Sequence, residues 1–449
     1  MFDVLNSQEL LGAELDERRL GGYLVDEIAP AIQAAAVDPD ISPLEIENLY
    51  DTLECTTRRP DWRYQEPSRL EEIVALSPGT DPGGWPGNVD VRDRIHGAWL
   101  GRCAGCVLGK PVEANWGRRE LRRYLESVNA FPITDYIPAM PLGAQGPEMH
   151  PSWPNATRGL IHGMPRDDDT DFTILALVLL ERHGQHLTTS DIARQWLASF
   201  PFTSVFTAER AAYRNLVHGL TPPGTAQHRN PYREWIGALI RGDMFGYVYP
   251  GRPVPAARLA YRDAALSHTA NGIYGEMWSA ALVAAAFGAA SISDALEAAA
   301  QVFPETSRLS EAVRNTLVAY RDGKSWDDAM NDIDVSYGAY HWVHSINNAA
   351  VISAALLWGD GDFGRTIGLA VEAGLDTDCT GATAGSVFGA LHGEIALPSS
   401  WTTPLRDTIR SAIFGFEHAR ISDLADRTFQ VASEFRDLKT LEGTEVGEP

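Results

Sequence analysis

Glycines recur every four residues in two distant stretches of this chain. They are Gly97, Gly101, Gly105 and Gly109 in GAWLGRCAGCVLGKPVE, and Gly381, Gly385, Gly389 and Gly393 in GLDTDCTGATAGSVFGALHG. A glycine inside a soluble helix costs about 1 kcal/mol relative to alanine, so a whole stripe persists only where close packing against another backbone offsets the loss. Residues four apart share a helical face, and two bare faces let two helices cross with their backbones nearly touching. The spacing therefore predicts a tight helix pair at the protein centre, built from segments far apart in sequence.

Acidic residues sit where such helices open. Asp376 and Asp378 alternate just ahead of the second glycine stripe, so both carboxylates project from a turn at the mouth of that helix. Asp167, Asp168 and Asp169 open the apolar run DDDTDFTILALVLLERH. One aspartate at a helix start is ordinary capping. Three in a row exceed what a cap needs, and their mutual repulsion would raise their pKa values unless a cation neutralised them.

From Asp93 onward the pattern is helical, with no run of period two that would make a strand. This predicts an all-α protein. Residues 1–88 read as a separate helical extension in which Asp61 to Glu71, aromatic and charged, clamps it to the main body. The Gly- and Pro-dense SPGTDPGGWPGN marks the boundary. Residues 89–436 form the main domain, and 437–449 read as an acidic, flexible tail. Tyr136 to Pro165 lacks periodicity and is a long loop whose Trp153 and His162 could line a pocket; loops of that length tend to be functional. RGDMFGYVYPGRP offers Gly246, Tyr247, Tyr249 and Gly251 as the wall of a ligand cleft, and LSHTANGIYGEMW offers His268 and Asn271 as polar site residues.

Composition narrows the class of partner. Among 449 residues, 37 Lys and Arg stand against 60 Asp and Glu, for a net charge of −23. Such a surface repels nucleic acid and anionic membranes. The start of the chain lacks the basic and apolar pattern of a secretion signal, and no apolar run reaches membrane-spanning length, so a cytoplasmic protein is expected. Its 4 cysteines, Cys55, Cys103, Cys106 and Cys379, do not form a disulfide framework. Cys103 and Cys106 lie inside the glycine-spaced helix and read as small packing residues rather than a redox pair.

Carboxylates and hydroxyls without a His or Cys ligand pair select hard cations, Mg²⁺, Mn²⁺ or Ca²⁺. Two acidic clusters from distant parts of the chain are what a two-cation site requires. In that order, GAWLGRCAGCVLGKPVE, RDDDTDFT and GLDTDCTGATAGSVFGALHG resemble the motifs of the ADP-ribosylglycohydrolase family, over about Asp93 to Glu417. The resemblance implies a compact orthogonal multi-helix fold with two Mg²⁺ or Mn²⁺ ions at the base of an ADP-ribose cleft. It sets the family's Thr-Asp-Asp-Thr on Asp167 to Thr170 and implies metal ligands at Asp167, Asp168 and Asp169, and at Asp376, Asp378 and Cys379, with Thr380 a substitute donor next door. Glu113 falls on the acidic residue after the first glycine helix, and Glu113 or Asp167, beside Asp168, would serve catalysis.

Three positions depart from the family pattern. Asp167 stands where many members have Thr, Cys379 replaces a Thr ligand, and Cys106 replaces the Asp of Gly-Asp-Ala-Leu-Gly. The function expected is hydrolysis of a ribosyl N- or O-glycosidic bond by water attack at the anomeric carbon, on an ADP-ribosylated protein or a small ribosylated metabolite. The alternative is a catalytically silent relative that binds ADP-ribose or another nucleotide, or serves structurally.

Overall fold

The computed structural model describes residues 4–79, 83–114, 116–141 and 146–437. Among these, regular structure consists of α-helices and short 3-10 turns, and extended pairing is limited to isolated bridges such as Gly117 with Gly374. The tail beyond residue 437 lies outside the described residues.

The two glycine stripes do meet. One lies on the helix Val91–Gly109 and the other on Thr377–His392, and the pair run antiparallel. A Cβ placed on Gly101 would sit 2.1 Å from the Gly385 carbonyl oxygen, and one on Gly105 would sit 1.9 Å from that of Gly381. At the far end Gly109 lies against Thr377, whose hydroxyl donates to the Gly109 carbonyl at 2.9 Å. Only residues without a side chain permit this approach. It fixes where the C-terminal end of one helix stands relative to the N-terminal end of the other.

Two further helices, Ala270–Ala286 and Ser345–Trp358, are buried along their whole length. Both are mainly apolar, their buried polar residues such as Asn271 and Asn348 being hydrogen-bonded, and they support the seam from behind. Asp90 caps Val91–Gly109 by accepting from the amides of Arg92 and Asp93. The chain leaves that helix through Lys110–Val112, a 3-10 turn that contains Pro111, and reaches Glu113 in extended conformation.

The amino-terminal extension contributes helices Ser7–Leu20, Ala29–Val37, Pro43–Glu54 and Leu70–Leu76. It is fastened to the main body through buried charge. Glu66 pairs with Arg308 at 2.8 Å, Arg308 pairs with Glu234 at 2.7 Å, and Arg233 pairs with Glu14 at 2.6 Å. Removing one partner from such a buried set strands the other in low dielectric, so Glu66, the buried residue of the Asp61 to Glu71 segment, ties that segment to Arg308.

Candidate metal centre

The acid cluster lies where the seam ends. Asp167 is the N-cap of Asp168–His183, its Oδ1 accepting from the Asp169 amide at 3.0 Å. Asp376 holds the N-cap position of Thr377–His392 but makes no capping bond through its side chain. The turn ahead of it is tied down on both sides. Gly374 bridges Gly117, Leu375 has φ 65°, in the left-handed region, and the Asp376 amide donates to Asn348 Oδ1 at 3.3 Å. A non-glycine residue in that region costs about 1–2 kcal/mol, and the surrounding contacts hold it there.

One ligand atom from each of Cys106, Asp167, Asp169 and Asp378 falls within 4.8 Å of the others, as does one from each of Asp376, Asp378 and Cys379. All are buried. Residues more than two hundred positions apart thus converge, with Asp378 common to both groups. Lys110 stands among them, its Nζ 2.5 Å from Asp167 Oδ2, 2.9 Å from Asp378 Oδ2 and 2.9 Å from Glu113 Oε2. Arg102 braces the other flank, donating to Asp169 Oδ1 at 3.3 Å, to the Asp169 carbonyl at 2.7 Å and to Asp243 Oδ2 at 2.8 Å.

The electrostatics follow from burial and crowding. Burial, then Asp167, pushes the Asp168 carboxyl up to about 7. Asp169, Asp376 and Glu113 are driven well above the usual carboxylate range, by burial first and by Asp167, Asp378 and Asp378 respectively. Burial works against ionising Asp378 as well, but Lys110 overrides it and holds that carboxyl down at about 2. Asp376 Oδ1 is buried with no hydrogen-bond partner. A lone acceptor of that kind is costly, and together with the hard oxygen donors around it, it fits a divalent cation such as Mg²⁺ or Mn²⁺.

The remaining candidates distribute unevenly. Cys379 is at the cluster, but burial raises its thiol well above the ordinary value, which makes it a poor donor to a hard ion. Thr380 is not brought there: its hydroxyl lies 3.3 Å from the carbonyls of Ala370 and Thr377. Thr170 likewise turns its hydroxyl to the Asp167 carbonyl at 3.2 Å. The cleft wall expected of Gly246, Tyr247, Tyr249 and Gly251 is core packing instead. Tyr247 is fully buried and its hydroxyl bonds to Ser386 at 2.6 Å, while Tyr249 packs on Phe435. A Cβ on Gly246 would strike Val283 at 2.6 Å, and Gly251, with φ 74°, sits under the carbonyl of Gly84. His268 is buried against Ser267 at 2.8 Å. Asn271 donates to Glu66 and Glu234 at 2.8 Å each, so it serves the junction with the extension. From the long loop it is His150, 3.8 Å from Glu113 Oε2, that approaches the cluster, whereas Trp153 and His162 are exposed.

Sequence reasoning missed Lys110, Arg102 and His150 as members of the site. A signal existed for the first two: each is a cation inside an otherwise small and apolar helical stretch that ends at acids. For His150 there was none, because a loop has no period from which to read direction.

Fold and site together define an all-α protein with a buried carboxylate centre suited to a hard cation. The chain belongs to the ADP-ribosylglycohydrolase family, whose model matches residues 87–437. Solved structures similar to it include one described as an ADP-ribosylglycohydrolase-related protein complex, at 19% identity and a TM-score of 0.44, covering 76% of this chain and 99% of that one. No curated protein matches. Among the described residues, no helix is long and apolar enough to cross a membrane.

Proposed function

We propose that this chain is a divalent-cation-dependent hydrolase of a ribosyl N- or O-glycosidic bond, acting by water attack at the anomeric carbon. The substrate is an ADP-ribosylated protein or a small ribosylated metabolite. The observation that carries the reading is the convergence of Asp167, Asp169 and Asp378 within one 4.8 Å ligand group at the end of the glycine seam. Neither acid motif alone has this meaning.

Asp168, Asp169, Asp376 and Asp378 would hold the cation. When bound, it supplies Lewis acidity toward the ribose hydroxyls and the attacking water. The base is Glu113 rather than Asp167. Asp167 is fully buried, with Oδ1 accepting from the Asp169 amide and Oδ2 against the Lys110 ammonium. The Glu113 side chain retains 21% exposure, and burial with Asp378 lifts its carboxyl well above the usual range. A carboxylate within hydrogen-bond reach of the attacking water can take its proton. Lys110 would keep Asp378 ionised and fix the Glu113 carboxylate through Oε2. Cleavage of a ribosyl bond passes through an oxocarbenium-like state, which a centre of net negative charge favours.

Asp168→Ala and Asp378→Ala should each abolish release of ribose or ADP-ribose from a cleavable substrate while leaving the helical circular dichroism intact. Turnover at the wild-type rate in either variant would remove the reading. Lys110 at the centre of the cluster favours one second reading, a relative that binds nucleotide without chemistry. Cation uptake by the wild-type chain with no hydrolysis of any ribosyl bond would select it.

A further inference from the structure

The family resemblance implies two divalent cations, and the cluster already contains a cation of its own. The Lys110 ammonium has three N–H donors, and three carboxylate oxygens from three separate segments face it: Glu113 Oε2 at 2.9 Å, Asp167 Oδ2 at 2.5 Å and Asp378 Oδ2 at 2.9 Å. Its side chain is 9% exposed, and those of Asp167 and Asp378 are 0% and 3%. This is a built contact rather than a surface pair.

We propose that the Lys110 ammonium stands in one of the two cation positions, so that this chain takes up one divalent ion per molecule. The inference rests on the reading of the centre as a divalent-cation site and adds its stoichiometry.

Which oxygens remain supports this. Asp378 has both oxygens hydrogen-bonded, to the Cys379 amide and to Nζ, while Asp167 accepts from the Asp169 amide through Oδ1 and meets Nζ through Oδ2 as an ion pair. Asp169 Oδ1 accepts from Arg102, and its Oδ2 lies 3.8 Å from the Cys106 sulfur. Asp376 Oδ1 is likewise buried without a hydrogen-bond partner, but unlike Asp167 Oδ2 it has no ammonium against it. Asp376 Oδ1 is therefore the donor that Lys110 leaves for a divalent ion.

A second hard ion near Glu113 and Asp167 would have to displace the ammonium from oxygens it already holds, against the repulsion of like charges. The Cys106 thiol, grouped with Asp167 and Asp169, is a poor donor to a hard ion at that position. An ammonium and a divalent ion both seek carboxylate oxygen, but the ammonium is tethered. It cannot be lost to a chelator, and its local concentration is fixed by the fold.

The test counts ions on the full chain, using Mn²⁺ alone as the probe. Equilibrium dialysis followed by elemental analysis should give one Mn²⁺ per wild-type chain, with the six-line paramagnetic resonance spectrum of an isolated ion. Lys110→Met keeps the stem and removes the charge, and should raise the count to two, with a spin-coupled signal. Lys110→Arg keeps the charge and should stay at one. Two ions on the wild-type chain overturn the proposal, and so does a count of one in both wild type and Lys110→Met. If Lys110→Met fails to fold, the wild-type count still decides. No uptake by the wild-type chain up to millimolar Mn²⁺ overturns the underlying cation reading instead, whereas uptake of two ions leaves that reading standing.

Discussion

Replacing Gly105 with alanine sets two effects of opposite sign against each other. Taken alone, a helix interior gains about 1 kcal/mol from Gly→Ala. Against that, the new Cβ would lie 1.9 Å from the carbonyl oxygen of Gly381 and 2.4 Å from its carbonyl carbon. These are backbone atoms of a packed helix and cannot rotate away. Restoring an ordinary contact near 3.4 Å parts the helices locally by about 1.5 Å. Overpacking costs typically about 1–3 kcal/mol, and a clash with rigid backbone belongs at the upper end, so a net loss of about 2 kcal/mol is expected.

Gly12 provides a matched control. It lies inside the helix Ser7–Leu20, and a Cβ there meets nothing within 4 Å. Gly12→Ala should therefore stabilise by about 1 kcal/mol. Urea unfolding at 25 °C reads both through the midpoint at constant slope. The seam also places Lys110 and Glu113 against Asp378, and misplacement by about 1 Å can cost on the order of a hundredfold in catalysis. Gly105→Ala should thus lose cation affinity and turnover as well as stability, and Gly12→Ala neither. Equal stabilisation by both variants would refute the seam as the element that sets the site.

Arg308→Met should destabilise by about 3–5 kcal/mol, since it leaves the buried carboxylates of Glu66 and Glu234 without their shared guanidinium; calorimetry with a loss under about 1 kcal/mol would show that the extension is held by apolar contacts alone. His344 is fully buried, and burial, then Arg308, keeps its ring well below the usual imidazole range. Only the unfolded chain then takes up a proton as pH falls below about 6.5, so stability is lost on acidification by up to about 1.4 kcal/mol per pH unit. His344→Asn preserves a capping acceptor for the Ile346 amide and should flatten that acid limb; parallel limbs for variant and wild type between pH 4.5 and 6.5 would contradict the assignment.

The glycine spacing, the acids at two helix openings and the absence of period-two runs were enough for an all-α chain with a tight helix pair. Their reason is local and periodic: a bare face on a helix has one economical use, and it is legible without coordinates. The convergence of Asp169 with Asp378 was implied by the family resemblance of the three motifs, whereas the glycine seam by itself places only Asp378, beside the exit of the first helix. What the fold alone decided was direction. Tyr247 and Asn271 occupy stretches that read as cleft walls, yet Tyr247 is committed to Ser386 and Asn271 to Glu66 and Glu234. Thr380 is adjacent to a ligand position, but helical rotation aims its hydroxyl at the carbonyl of Ala370. Lys110 is one charged residue among small ones until the antiparallel crossing brings Asp378 to its ammonium from 268 positions away. A one-dimensional pattern fixes which face of a helix a side chain occupies; which partner waits on that face is set by how the other helices pack.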